Sequence, residues 1–552
     1  MEREALKSLE FYKVIEEIAG YCHSQATKTL IRNIFPFSDL NPIIERFGQI
    51  REIMRLRDEG FSLGLYDFLD ISGILEKVRP EGAALDPEEI LSLLPVLSLI
   101  EEVSVVLNGK DLVYLKPFSE GLTGFPSIRS RIKKSIDNDG NIVDSASPTL
   151  AELRNRKRSV EKRIKKRLEE LVTDKRIAPF LQDDFISMRS GRWVIPVRMD
   201  SKGEVKGIVH DVSRSGDTAF IEPVEIMGLS NELENIIAEE RVEELRILRE
   251  ISGLIRVESE EIERQFSILI TIDLLNSIVL FSERVKAQIP DINESGHLSL
   301  CDARHPILLV SREDEEVVPL NIGISTSERV VVISGPNAGG KTVAVKTVGL
   351  LTAMALSGIP IPANQSSSIP LVKNIYVDIG DEQSIVDNLS TFSAHVRRIS
   401  GIFSKAGAED MVIIDELGTG TEPSQGAALG CAILEELRDR GAIVFATTHL
   451  VDIVGFVYSS KGMINASMEF DCVTLSPLYR LKIGEPGESH AFEIAARYGL
   501  PESIVEKARS RLGDGADLYK LINELNDKRN NYESLIREGQ ERIEKLRDQE
   551  TR

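Results

Sequence analysis

Eight consecutive residues carry the clearest chemistry in the chain: Gly335, Pro336, Asn337, Ala338, Gly339, Gly340, Lys341 and Thr342. They fit G-x-x-x-x-G-K-[ST], a loop that turns backbone N–H groups inward around phosphate oxygens. An apolar run, Val330–Ile333, precedes them, and Val343–Leu356 follows with helix-like spacing of Val, Leu and Met. Strand, glycine loop and helix in that order put phosphates at a helix N-terminus, which favours anions. Lys341 can reach β- and γ-phosphates, and Thr342 can ligate Mg²⁺. ATP with Mg²⁺ is the expected ligand. A glycine-rich turn without a ligand is the competing reading, and the flanking strand and helix weigh against it.

Three further stretches belong to the same chemistry. MVIIDELGTGTEP, Met411 to Pro423, reads as a buried strand ending in Asp415 and Glu416. Asp415 is expected to hold Mg²⁺, usually through its water, and Glu416 to orient or deprotonate the attacking water. This acidic strand is expected beside the strand of the glycine loop. AIVFATTHL, residues 442–450, delivers Thr447, Thr448 and His449 at a strand's C-terminal end, where parallel sheets place ligands. His449 is expected to sense the γ-phosphate. Between these lies YVDIGDEQSIVDNLSTFSAHVRRI, residues 376–399, in which Asp378, Asp381, Glu382 and Gln383 form a loop. There Leu389 to Phe392 opens a helix, with Ser390 as a cap. Its free N–H groups suit an anion, but not the nucleotide on the chain's own loop, so a second subunit would have to use them. A plain capped helix is the equal alternative.

The elements that must position these residues come from a chain of 552 residues, long enough for several domains. Hydrophobic content of 42% and charged content of 28% suit a globular protein rich in helix. No apolar run approaches a membrane span, and MEREALKSLEF has no apolar signal region, so no membrane partner and a cytoplasmic setting are expected. Four scattered cysteines point to a reducing compartment and away from disulfides or structural zinc. A net charge of −21 argues mildly against nucleic acid, but the charge is unevenly distributed.

Residues 1–150 read as mostly helical. Leu6, Leu9, Val14, Ile15 and Ile18 suggest one amphipathic first helix, with others near 41–57 and 87–106. His23 stands alone and reads as a surface or packing residue. Residues 149–177 hold eleven Lys or Arg against five acidic residues, without Gly or Pro, and should form one long basic helix. Pattern alone leaves a solvated helix and a helix laid along a polyanion both open. Residues 181–223 show short alternating runs between Ser, Gly and Asp turns, a small β insertion decorated by Arg189, Arg192 and other basic residues. Trp193 reads as core. Residues 224–290 return to long charged helix. Leu518, Leu521, Leu525, Tyr532 and Leu535 suggest a short coiled coil over 513–552.

Taken together, GPNAGGKT, DIGDEQSI with NLSTFSAHV, VIIDELGTGTEP, ATTH and the tail TLSPLYRLKIGEPGESHAFEIAARYGLP resemble the MutS family of ABC-type ATPases. DELGTGTEP, LEFYKVIEEIAGYC and RSGRWVIPVR with GIVHDVSRSGDTAFIEP resemble its second bacterial branch, MutS-two. The resemblance implies a multidomain fold. A mainly α-helical core occupies 1–148, and lever helices with a clamp-like β insertion at about 181–223 occupy 149–290. An α/β P-loop ATPase domain follows at 291–512, then the coiled coil. It implies that Ser390 and Thr391 reach the ATP of a second subunit, so that hydrolysis needs a homodimer. It makes the basic helix a DNA-facing lever, with Arg156, Lys162, Arg163, Lys166, Arg189 and Arg192 as candidate nucleic-acid contacts.

The expected activity is therefore ATP hydrolysis driving clamp motion on branched or recombining DNA, with suppression of recombination as its outcome. Within the same family, binding and splitting of stalled or collided ribosomes, with contacts to rRNA, is the alternative. An ATP-clasped assembly protein with little turnover is the alternative of another class. The intact Asp415–Glu416 pair and His449 speak against that last reading. No mismatch-reading domain or Phe-x-Glu context opens the sequence, so repair-type mismatch recognition is not expected. The branch usually carries a C-terminal Smr nuclease module. None follows the tail here, which leaves open a sequence cut short or a protein without nuclease activity, and nuclease catalysis is assigned to no residue.

Overall fold

Ser147 Oγ accepts the Leu150 N–H at 3.0 Å and Pro148 fills the first turn, so the basic helix starts at Pro148. It ends at Val172, short of the expected 177. The Thr173 hydroxyl turns back to the Glu169 carbonyl at 2.9 Å, and Asp174 Oδ1 accepts the Arg176 N–H at 2.9 Å. These side-chain bonds give the backbone an alternative to the helix.

The computed structural model describes residues 1–312, 317–335, 339–380, 391–471, 476–485, 495–496 and 499–510. The coiled coil expected over 513–552 lies outside them. Two compact units make up the chain. One holds His23–Gln25 and Phe61–Thr271; the other holds Met1–Cys22, Ala26–Gly60 and everything from Ile272 onward.

In the first unit the β insertion is a four-stranded antiparallel sheet. It comprises β1 (Ser187–Arg189), β2 (Arg192–Arg198), β3 (Gly207–Val212) and β4 (Thr218–Pro223), in the order β1-β2-β4-β3. The β1–β2 turn is only Ser190 and Gly191, both with positive φ (46° and 77°), the twist a two-residue hairpin needs. Ile195, Val197, Ala219 and Ile221 of β2 and β4 pack against Ile164 and Leu168 of the basic helix, and against Ile226 and Leu233 of the return helix, Val224–Val257. Trp193 lies at the edge of this core, as expected. The long helical stretch read over 224–290 is two helices, because Glu258 leaves helical geometry (φ −97°, ψ 7°) before Ser259–Arg284 begins.

Pro87–Leu107 and Ser259–Arg284 do pass a length and hydropathy test for a membrane span, contrary to the sequence expectation. Half of the apolar stretch of the first and 72% of that of the second are buried inside the protein, and the second has the burial of a core helix.

The second unit is built on a six-stranded sheet. Its strands are β8 (Val330–Ser334), β10 (Asn374–Asp378), β11 (Asp410–Ile414), β12 (Ile443–Thr447), β13 (Met463–Asp471) and β14 (Ser476–Ile483). Their order is β10-β11-β12-β8-β13-β14, with only β14 antiparallel to its neighbour. The β8, β11 and β12 runs are buried throughout, as a parallel sheet covered on both faces requires. A smaller sheet, β5 (Asp291–Asn293), β6 (Leu298–Ala303), β7 (Leu320–Ile324) and β9 (Ser368–Pro370), stands in the order β5-β9-β6-β7.

Residues 1–22 and 26–60 belong to this unit, not to the helical residues 61–148 with which the sequence reading grouped them. The loop helix, Lys341–Leu356, explains why. A Cβ on its Gly349 would lie 2.6 Å from Leu9 Cδ2, so glycine lets the N-terminal segment close in. At the far end Arg46 donates to the Ser357 carbonyl at 2.8 Å, and the Phe37 N–H to the Leu356 carbonyl at 2.9 Å. The expected single first helix is two, Arg3–Ser8 and Phe11–Ala19, with Glu10 at φ 65° between them.

Candidate nucleotide site

Strands β11, β12 and β8 are neighbours and end together, with Ile414 paired to Ala446 and Thr447 paired to Ile333. Asp415, Thr447, Thr448 and Gly335 therefore gather at one C-terminal sheet edge, the ligand side of parallel sheets. The acidic strand was expected directly beside the loop strand. Instead β12 stands between them, and its last residue does the bridging. Thr447 Oγ1 donates to Asp415 Oδ1 at 2.5 Å and accepts the Glu416 N–H at 2.8 Å. The Leu417 N–H donates to the Thr447 carbonyl at 2.8 Å, and the Thr448 N–H to the Ile333 carbonyl at 3.1 Å.

Thr342 Oγ1 donates to the other oxygen of the same carboxylate, Asp415 Oδ2, at 2.8 Å. Lys341 is only 3% exposed and donates to the Gly335 carbonyl at 2.5 Å. Burial presses the ammonium below its usual range, and the carboxylates of Glu416 and Asp415 oppose that shift. A buried lysine ammonium at the head of the loop helix, beside the carboxylates of Glu416 and Asp415, is placed to meet phosphate oxygens. Glu416 has a left-handed backbone (φ 52°), sparsely populated by residues with a side chain. Strain of this kind clusters at functional sites, and here it follows a strand end and precedes a glycine turn. His449 is exposed, two residues beyond β12.

Gly340 caps the loop helix at φ 88°. A Cβ there would lie 3.1 Å from Tyr479 Cδ1, and one on Gly335 would lie 3.6 Å from the Met468 nitrogen. The β13–β14 hairpin thus backs both ends of the loop. Tyr479 has positive φ (55°) where the β13–β14 register shifts between Met468 and Phe470, and its ring remains exposed. Sequence reading gave this tyrosine no role. Only the bulge brings it to the loop, and no spacing rule signals that.

Pro336, Asn337, Ala338 and Ser390 lie outside the described residues. Gly339 immediately precedes the capping glycine, and Thr391 begins the helix Thr391–Phe403. The described residues contain no cluster of three or more His, Cys, Asp or Glu able to hold a metal by themselves. One hydroxyl and one carboxylate, Thr342 and Asp415, suit Mg²⁺, which keeps waters and shares phosphate oxygens.

The candidate nucleic-acid residues belong to the other unit. Lys162 and Lys166 are exposed on the basic helix. Arg156 and Arg163 are exposed as well, at long range (3.9 Å and 3.8 Å) from Glu239 and Glu232. Much of the remaining charge is used internally. Arg154 binds Asp144, Glu240 and Glu244, and Lys157 binds Glu240 at 2.7 Å. Arg192 is held by Glu234 at 2.6 Å and Glu222 at 3.4 Å, and Arg189 lies over the Phe220 ring near Asp211.

Residues 331–514 match MutS domain V. The chain is 38% identical over 540 residues to "Endonuclease MutS2" of Caldanaerobacter subterraneus subsp. tengcongensis, covering 96% of this chain and 67% of that protein. The chain belongs to the MutS2 family. The protein of the same name from Halothermothrix orenii is 36% identical, over 100% of this chain and 70% of its own length. That of Aquifex aeolicus is 38% identical, over 96% and 68%. The chain thus spans about two thirds of these MutS2 relatives. Membership makes residues 331–514 a MutS-type ATPase region in a family of DNA-binding proteins, and that match takes in β11, β12 and all but the first residue of β8.

Proposed function

We propose that this chain is a Mg²⁺-dependent ATPase that works as a homodimer on branched or recombining DNA. The observation that carries the reading is the Thr342–Asp415 contact at 2.8 Å beside the buried Lys341, within the MutS domain V match. Gly335, Gly339, Gly340 and Lys341, with Pro336, Asn337 and Ala338 between, cradle the phosphates. Thr342 and Asp415 would hold the cation, which would supply charge neutralisation on the phosphates. Glu416, half-buried at the strand end, takes the proton of the attacking water. His449, exposed at the same edge, senses the γ-phosphate.

Ser390 and Thr391 complete the site of the second subunit. Support for this comes from the start of a helix at Thr391, close to the loop after Glu416, and from the dimeric habit of MutS proteins. Arg156, Lys162, Arg163 and Lys166, with Arg189 on the β insertion, contact the phosphate backbone, while Arg192 is held by Glu222 and Glu234 and contributes less. Such contacts position without reading bases, which suits recognition of branching rather than sequence.

The decisive experiment is steady-state hydrolysis of Mg-ATP. Glu416→Gln should bind ATP and lose about a hundredfold or more in kcat, whereas Lys341→Ala should lose binding. Equal turnover in wild type and Glu416→Gln removes the catalytic assignment. In mixed dimers, a Ser390→Ala subunit should impair the partner's loop. For the target, four-way DNA junctions and purified ribosomes are compared with and without ATP. ATP-dependent binding to ribosomes alone would move the reading from DNA to ribosome splitting.

A further inference from the structure

Strand β10 ends on a carboxylate that the proposed function leaves without a task. Asp378 is fully buried. Its Oδ2 meets His395 Nδ1 at 2.8 Å, and its Oδ1 accepts from Arg398 Nε at 2.5 Å. Both partners stand on the helix Thr391–Phe403. That helix already buries Ile399 and Ile402 in the core of the sheet. Apolar packing alone would attach it. A buried carboxylate costs several kcal/mol in desolvation unless its hydrogen bonds are well made. What the pair of directed bonds adds is register: it fixes the helix against rotation and sliding in a way that non-directional burial does not.

The same residue touches the hydrolytic centre through its backbone. The Asp378 carbonyl accepts the Asp415 N–H at 2.8 Å. The first turn of the helix also abuts the loop that follows Glu416, where a Cβ on Gly420 would lie 3.3 Å from the Phe392 nitrogen and Cβ. Phe392 and His395 share a groove with Glu416, Leu417 and Gly418. Helix register, the Asp415 main chain and the Glu416 loop are therefore joined at one residue.

We propose that Asp378 is a positioning residue of the ATP site. It locks the helix opened by Thr391 to the end of the acidic strand, so that Asp415 and Glu416 are aligned only while that helix is docked. The inference rests on the nucleotide reading of Asp415 and Glu416. It adds that the helix Thr391–Phe403 governs hydrolysis through Asp378, by way of His395 and Arg398.

The test uses the full chain with Asp378→Asn, Arg398→Ala and Arg398→Lys, measuring kcat and KM for Mg-ATP and the Tm of each. Misalignment of a reacting group by about 1 Å is worth up to about a hundredfold in rate, so Asp378→Asn and Arg398→Ala should lower kcat by about tenfold to a hundredfold. KM should stay within about twofold, because the Lys341 loop is not touched. Arg398→Lys should recover most of the rate, since an ammonium can still meet Asp378. The double variant should be no slower than the worse single one, because both changes remove one interaction. Arg398 is partly exposed, so its variants carry the test even where Asp378→Asn does not fold. A fall in Tm with unchanged kcat would make the contact purely architectural and overturn the inference. If wild type itself does not hydrolyse Mg-ATP, the proposed function falls and this inference with it. Wild-type turnover with unaffected variants sinks this inference alone.

Discussion

Thr342 and Asp415 share a hydrogen bond of 2.8 Å across 73 positions of sequence, although β12 separates the strands that deliver them. The bond closes the gap because Thr447, at the end of the intervening strand, holds the other oxygen of the same carboxylate. Asp415 is thus pinned from two sides before any ligand arrives, which lowers the reorganisation needed when charge is bound.

Thr447 should accordingly behave as part of the site. Thr447→Val keeps the shape and removes the hydroxyl, leaving the Asp415 oxygen and the Glu416 N–H without their partner. An unsatisfied buried polar group is worth about 1–3 kcal/mol, so a loss of about tenfold or more in kcat is expected. The Mg²⁺ concentration for half-maximal rate should rise. Thr447→Ser should retain activity. ATPase assays across a Mg²⁺ titration check both, and a Val variant indistinguishable from wild type would remove the bridge from the mechanism.

Tyr479 presses on Gly340 at the mouth of the loop helix. Removing the ring in Tyr479→Ala should loosen the loop and raise KM for ATP severalfold, with kcat changed little. Tyr479→Gly should give the same KM while relieving the φ of 55°, which a glycine adopts freely. Nucleotide binding by equilibrium titration separates these effects, and an unaltered affinity in both variants would place Tyr479 outside the site.

The N-terminal segment should be inseparable from the loop helix. Gly349→Ala would bring a Cβ to 2.4 Å from Ile413 Cδ1 and 2.6 Å from Leu9 Cδ2. Overpacking of this kind typically destabilises by about 1–3 kcal/mol. Adding Leu9→Ala should recover part of that loss by making room. Urea midpoints of the two single variants and the double variant test the coupling; strict additivity would contradict the contact.

His305 sets an acid limit on stability. It is 6% exposed, its Nδ1 has no hydrogen-bond partner among the described residues, and burial presses its pKa from 6.5 down to about 4. Above pH 6.5 both folded and unfolded imidazoles are neutral and stability is complete. As pH falls toward 4 the unfolded chain takes a proton that the folded one refuses, and stability drops. The slope is about 1.4 kcal/mol per pH unit at most, and it ends below the folded value. His305→Asn lacks this term, so urea midpoints of wild type and variant should change relative to each other between those two limits. Parallel curves there would show that the imidazole does not titrate as described.

The basic helix should reveal itself through salt. Neutralising Arg156, Lys162, Arg163 and Lys166 to Gln should weaken junction binding and reduce the slope of log affinity against log salt by about 0.9 for each phosphate that is no longer neutralised. Arg192→Ala should act mainly on folding stability, because Glu222 and Glu234 already hold its guanidinium. An unchanged salt slope in the fourfold variant would return the helix to a solvated, interhelical role.

Local chemistry is what the sequence determined by itself. The glycine loop, the Asp415–Glu416 strand end and the Thr447–His449 strand end were legible because each depends on neighbours within a few positions: buried runs for strands, glycines for the turn, and charged residues at the tip. The small β insertion with its Ser, Gly and Asp turns was legible for the same reason. Decisions made between distant segments were not. That β12 enters between β8 and β11 follows from pairing among equally apolar strands, which periodicity does not rank. Tyr479 reaches Gly340 only through a bulge, Asp378 finds His395 and Arg398 only when their helix docks, and residues 1–22 and 26–60 join the ATPase unit because Gly349 leaves room for Leu9. Side-chain spacing encodes an element and its face. Which faces meet is settled by the packing and the directed hydrogen bonds that only the tertiary structure supplies.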